Sequence, residues 1–351
     1  MTRTPMTRLA LAAGLALAVA LPGVAEDKSM TGKPDAQMQA VLDQLAALDG
    51  KPLTQCTPQE ARKQPSPTDA VKALLKKQGK STDPEAVGSV KDVSYPAAAG
   101  TQPARVYTPK GDGPFPVLAY WHGGGWVLAD LDTYDASCRA LCNAAGCIVV
   151  SLEYRHAPEF PFPAAADDAY AGYQYVLKNA ATMNGDSKKV AVAGESAGGN
   201  LAAVTTLRAR DTGLQLPLAQ VLVYPVTNND LDTPSYLKNA DAKPLNKPMM
   251  KWFFAHYVGN QAATGANPVA FPMRAVNLTK LPPTTIINAE IDPLLDDGVK
   301  YAAKLKAAGV TVTQQTFPGV AHEFFGMGAV VDKSKEAVKV AADALKLAYG
   351  K

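Results

Sequence analysis

The 351-residue chain has little net charge, only four cysteines and four histidines, and no apolar run long enough to span a bilayer. Its longest such run, Leu9 to Leu21, falls short of the ~20 residues that a spanning helix needs. Arg3 and Arg8 are the only charged side chains before Glu26, and Gly23, Val24 and Ala25 offer small residues where a signal peptidase reads. Residues 1–25 therefore read as a secretory signal peptide, which implies a secreted or periplasmic mature chain with no stable membrane anchor. Without that segment 33 basic groups face 32 acidic ones. A balance so close to neutral leaves no electrostatic footprint for nucleic acid or an anionic membrane surface.

Cys56, Cys138, Cys142 and Cys147 would meet an oxidising compartment on that reading, so disulfides are permitted but their pairing is not specified. No CxxC and no neighbouring histidine pair suggests zinc, and buried free thiols are favoured. No internal repeat or low-complexity tract is present.

What the chain does have is ordered alternation. Apolar positions at helical spacing in 35–48 and 71–79 predict an N-terminal helical portion. Beyond Val93 come VLAYW (117–121), CIVVSLEY (147–154), VAVA (190–193), VLVYPV (221–226) and TTIINAE (284–290), apolar through most of their length as in strands buried on both faces. Helical stretches such as 164–179 and 297–308 separate them, so the fold class is α/β, a doubly wound, mostly parallel sheet. The connection 227–283 is too long for a simple crossover and carries an aromatic helix candidate after Pro248. We expect one domain over 26–351, with a helical cap made from about 30–85 and 227–283.

The chemistry concentrates where VAVA runs into Gly-Glu-Ser-Ala-Gly. A lone glycine-flanked serine is as readily a turn. Here the strand before Ser196 and the apolar face Leu201, Val204 and Leu207 after it supply the strand, turn and helix of a nucleophile elbow, the signature of α/β-hydrolases. Independently, His122-Gly123-Gly124-Gly125-Trp126 follows a strand directly, and its glycines leave backbone N–H groups free to face a developing oxyanion. Gly123, Gly124 and Ala197, the residue after the nucleophile, are the expected donors.

A serine hydroxyl needs a base, and the base needs an acid to fix its tautomer. His122 belongs to the glycine loop, His156 to YRHAPE and His256 to the aromatic helix, which leaves His322 in PGVAHEFF. Asp292, at the end of TTIINAE and before Pro293, is favoured as the acid over Glu290, Asp296 and Asp297. The chain order Ser196, Asp292, His322 is that of α/β-hydrolases.

Together HGGGW, EYRHAPEFPFPAAADDAY, GESAGGN, IDPLLDDG and AHEFF resemble the hormone-sensitive-lipase-like bacterial esterases from about residue 35 to the C terminus. The resemblance implies a helical cap and a cofactor-free serine carboxylesterase acting on short acyl chains, with a small-molecule ester as its partner. Two residues depart from the common pattern: Glu195 where many members have Asp or Thr, and Glu323 where Gly is common. Arg155 and Asp168 read as a buried supporting ion pair. Trp126, Trp252, Phe253 and Phe254 are candidates for a substrate pocket, with core packing the default for at least two. An amidase or deacetylase could use the same triad, and a binding protein on this scaffold is a weaker alternative because His322 is retained. A homodimer through the sheet edge or the last helix stays open.

Overall fold

Strands that are apolar on both sides must be covered on both sides, and that requirement organises the molecule. The computed structural model describes residues 1, 32–259 and 265–351. The proposed signal segment lies almost wholly outside them, as does the short stretch 260–264.

Eight strands form one sheet: β1 (Ser89–Pro96), β2 (Thr101–Thr108), β3 (Phe115–Trp121), β4 (Ile148–Leu152), β5 (Gly185–Glu195), β6 (Gln220–Val223), β7 (Thr284–Ile291) and β8 (Val312–Ala321). Their order is β1-β2-β4-β3-β5-β6-β7-β8. The β1–β2 and β2–β4 pairs are antiparallel and every pair from β4 to β8 is parallel. The alternation of side chains divides each central strand between two cores. In β3, Val117, Ala119 and Trp121 enter one core while Leu118 and Tyr120 enter the other.

On the first face lie α5 (Ala164–Asn179), α6 (Ala197–Thr212) and α9 (Leu295–Ala307), together with the apolar side of α8 (Lys247–Tyr257). On the second lie α4 (Asp135–Ala145), α10 (Asp332–Tyr349), and two N-terminal helices, α1 (Ala36–Ala47) and α3 (Pro67–Lys77). Between α1 and α3 sits the short α2 (Pro58–Ala61), and α7 (Pro234–Lys238) precedes α8. Thr57 and Ser66 each close a reciprocal capping box, with Glu60 and Asp69, which sets where α2 and α3 begin. Arg62, just past α2, donates to the carbonyls of Val127 and Ala157 at 2.8 and 2.9 Å and so ties the N-terminal region to the loops around the site.

Every central strand anticipated from the sequence is present. The polar hairpin β1–β2 was not anticipated, because its outer strand is exposed along most of its length and has no apolar run. The four cysteines are free and buried; burial holds the Cys142 thiol up at about 12 and pushes those of Cys138 and Cys147 up as well. Among the described residues no helix is long and apolar enough to cross a membrane.

The expected ion pair beside the sheet is bidentate: Arg155 Nε and a terminal guanidinium nitrogen reach the two Asp168 oxygens at 2.7 and 2.9 Å. Asp168 also accepts from the backbone N–H groups of Ala98 and Arg155. Its side chain is fully buried. Replacing Asp168 by Ala strands the guanidinium, and unfolding in urea should show a loss of about 3–5 kcal/mol; a loss under ~1 kcal/mol would mean that the pair does not hold this end of the sheet.

Candidate active site

The parallel strands all end on one edge, and the turns leaving them meet there. β5 ends at Glu195 and α6 begins at Ala197, so Ser196 alone makes the reversal, at φ 56° and ψ −117°. Glycine is required on both sides of it by close approach: a Cβ on Gly194 would strike the Gly198 carbonyl, and one on Gly198 would strike the carbonyls of Trp121 and His122. The serine is locked by its own peptide groups, with N–H donating to Val223 O at 2.9 Å and C=O accepting from Asn200 and Val226.

His322 follows β8 immediately, since that strand runs to Ala321. Its Nε2 lies 3.0 Å from Ser196 Oγ and its Nδ1 lies 2.6 Å from Asp292 Oδ2. The other Asp292 oxygen accepts from Leu294 N–H at 2.8 Å, which orients the carboxylate from the turn after β7. All three side chains are buried. Burial alone would pull His322 below its usual range, but the Asp292 carboxylate and then Glu323 hold it above.

The competing acids are spent elsewhere. Glu290 accepts from Gly32 and Gly319 N–H groups, Asp297 from Thr227 and Asn228, and Asp296 from Ser235. Gly123 and Gly124 leave the end of β3 beside the serine; among the described residues nothing accepts a hydrogen bond from either N–H. Ala197 opens α6, where a first-turn N–H has no partner within the helix.

A cavity of about 1900 Å³ reaches Ser196 and His322 and is bordered by Leu45, Leu53, Gly124, Met250 and Phe253. The aromatic candidates divide. Phe253 lines this cavity, whereas Trp126 is fully buried and stacked on Tyr257 at 4.0 Å between ring centres, and Trp252 packs edge-on against Phe253 and His256 outside it. Phe254 is buried in the core against Phe271.

Glu195 and Glu323, departures from the common pattern in sequence, belong in the fold to a carboxyl and tyrosine cluster around His322. Tyr120 and Tyr224 hydroxyls donate to opposite oxygens of Glu195, the first at 2.6 Å. The Tyr224 ring lies against His322, 4.4 Å between centres. Burial and then Glu323 raise the Glu195 carboxyl to about 7. Glu323 receives the Tyr134 hydroxyl at 2.8 Å and comes within 3.7 Å of His322 Nε2. Tyr120 and Tyr224 were the readable signal, since each puts a hydroxyl inside an otherwise apolar strand end.

A strained serine at an elbow, a histidine on its hydroxyl, a buried aspartate behind the histidine and glycine N–H groups beside it make up the arrangement of a serine hydrolase on the α/β-hydrolase fold. A family model described as the alpha/beta hydrolase fold matches residues 118–326, more than half of the chain. The chain belongs to this family, and within it to the hormone-sensitive-lipase-like esterases. It is 43% identical over 250 residues to the carboxylesterase NlhH of Mycobacterium tuberculosis, covering 70% of this chain and 78% of that one. It is 32% identical over 324 residues to an ethyl acetate hydrolase of Pseudomonas putida, covering 90% and 99%. Among solved structures, a hyperthermophilic esterase from Pyrobaculum calidifontis aligns with a TM-score of 0.81 at 36% identity, over 90% of this chain and 98% of that one.

Glu323 offers a direct test of the electrostatics. Its charge stabilises the imidazolium, so removing it lowers the pKa of His322, and the base is then neutral at lower pH. Glu323→Gln should move the acid limb of the kcat/KM profile to lower pH. A limb that stays in place or moves upward would show that Glu323 does not act on the base.

Proposed function

We propose that the protein is a serine carboxylesterase of short-chain acyl esters in which Ser196, His322 and Asp292 act as nucleophile, base and orienting acid. The single observation that carries the assignment of roles is the continuous line of hydrogen-bond contacts from Ser196 Oγ through both ring nitrogens of His322 to Asp292, at 3.0 and 2.6 Å. Carboxylic ester hydrolysis itself is the activity of the family, and the carboxylesterase and esterase relatives agree with it.

Ser196 Oγ attacks the ester carbonyl as its proton passes to His322 Nε2, while Asp292 holds the Nδ1–H tautomer and stabilises the imidazolium. The carbonyl oxygen becomes an oxyanion that the N–H groups of Gly123, Gly124 and Ala197 stabilise. Collapse expels the alcohol, which takes the proton from His322, and a water activated by the same base then cleaves the acyl-enzyme. The short-acyl preference is supported by the ethyl acetate hydrolase relative and by Phe253, whose ring packs against Gly125 beside the glycine loop. On this reading the helical cap comprises about 30–85 and 227–283. The mature chain is secreted or periplasmic, as Arg3, Arg8 and the apolar run Leu9 to Leu21 support.

Initial rates on p-nitrophenyl esters from acetyl to palmitoyl test the proposal. Rates should peak at short chains, and Ser196→Ala should lower kcat by roughly 10⁶-fold with an unchanged thermal transition. An active Ser196→Ala protein would remove the serine mechanism; a rate maximum at long chains would overturn the acyl preference alone. Mass spectrometry of the exported protein should find Glu26 at the N terminus.

A further inference from the structure

The histidines not used by the triad are as telling as the one that is. We propose that His122, Glu153 and His156 form a binding site for a divalent transition-metal ion of the zinc class, at the root of the oxyanion loop. One donor atom from each of the three lies within 4.8 Å of the other two. Glu153 Oε1 is 2.9 Å from the first histidine and 3.1 Å from the second. Ligands at ~2.1 Å around a tetrahedral zinc stand ~3.4 Å apart, so the trio needs only a small adjustment to embrace one ion, with water as the fourth ligand.

Three further observations point to a ligand rather than to packing. His122 Nδ1 is 2.8 Å from the Gly123 carbonyl and donates to it, the outer partner of a metal-bound imidazole, so the ring is held with Nε2 toward Glu153, where an ion would take the place of the Nε2 proton. The His156 Nε2 atom is shielded from solvent yet makes no well-aligned hydrogen bond among the described residues. The rings are already oriented: His122 stacks on Tyr154 at 4.5 Å and meets His156 edge-on at 5.7 Å.

Access and charge agree with this. A surface cavity of about 590 Å³ has Glu153 and His156 in its wall. The two guanidinium groups that share the cavity are already neutralised, Arg62 by Glu159 at 2.6 Å and Arg155 by Asp168 at 2.7 Å. None of the three donors touches Ser196 or His322. The link to the reaction runs through His122, whose Nδ1–H···O bond ends on Gly123 in the oxyanion loop, so an ion here acts on the loop from behind.

Chelator-treated full-length protein is titrated with Zn²⁺ by calorimetry and with Co²⁺ by visible absorption, and its thermal transition is followed with and without zinc. One equivalent should bind, the cobalt form should show the intense bands of a four-coordinate nitrogen and oxygen site, and zinc should raise the transition temperature. His156→Leu should hydrolyse esters normally in chelator but bind zinc more weakly by over the ~10–100-fold that loss of an outer partner brings. His156→Gln serves if the leucine variant does not fold. Absence of stoichiometric binding overturns the proposal, and so does binding of equal strength in the His156 variant and in Glu153→Gln, which would place the ion elsewhere. Because the readouts are binding, absorption and melting, failure here leaves the esterase assignment standing.

Discussion

The backbone of Ser196, at φ 56° and ψ −117°, is a conformation that a serine does not hold unaided. Such a residue costs about 1–3 kcal/mol and persists only where its surroundings over-determine it. Here they do. The serine N–H and C=O are engaged by β6 and by the loop after it, and Asn200, one turn into α6, donates to the carbonyls of Val226 and Ala270, both at 2.9 Å. Relaxing the turn would therefore unpair buried groups on three segments. The glycines at 194 and 198 are consequences of the same constraint, since the backbone of α6 passes so close to the ends of β3 and β5 that no Cβ fits between them.

Once the serine is fixed, the remaining parts must be fixed relative to it, and carboxyl groups do this. Tyr134 connects one of them to the glycine loop: its hydroxyl donates to Glu323, next to His322, and lies against Gly123. Glu323 is itself at φ 70°, in the left-handed region where glycine is at ease. The strain of a non-glycine residue there, of order 1 kcal/mol, is offset by the charge-assisted bond from Tyr134. A glutamate at this position thus exchanges backbone ease for a side-chain strut between the base and the oxyanion loop.

The sheet, its central strands and the order of serine, aspartate and histidine were legible because their causes are local. Strands buried on both faces must be apolar, an elbow must carry glycine, and a chain with four histidines leaves few choices of base. What was not legible depends on distant partners. The β1–β2 hairpin is held by pairing with β4 and by neighbours, not by its own hydrophobicity. Trp126 stands beside the glycine loop in sequence but turns inward, because Tyr257 of α8, 131 positions away, offers its ring a face. Glu195 and Tyr224 are 29 residues apart and Tyr134 and Glu323 are 189 apart, and no spacing rule joins them.

The carboxyl cluster also changes what governs the base. Burial and the neighbouring Glu323 bring Glu195 to about 7, near the range in which an unperturbed histidine titrates. His322 is raised by Asp292 first, then by Glu323 and Glu195, while burial raises Glu323 and the charge on His322 only partly opposes that rise. A proton arriving at any one of these groups weakens the attraction that the others exert on the next. With His322 as the proposed base, the acid limb is therefore a property of His322, Glu323 and Glu195 together. In the proposed mechanism Asp292 sets the tautomer, while the two glutamates, with Tyr120, Tyr134 and Tyr224 donating to them, set how readily His322 gives up its proton.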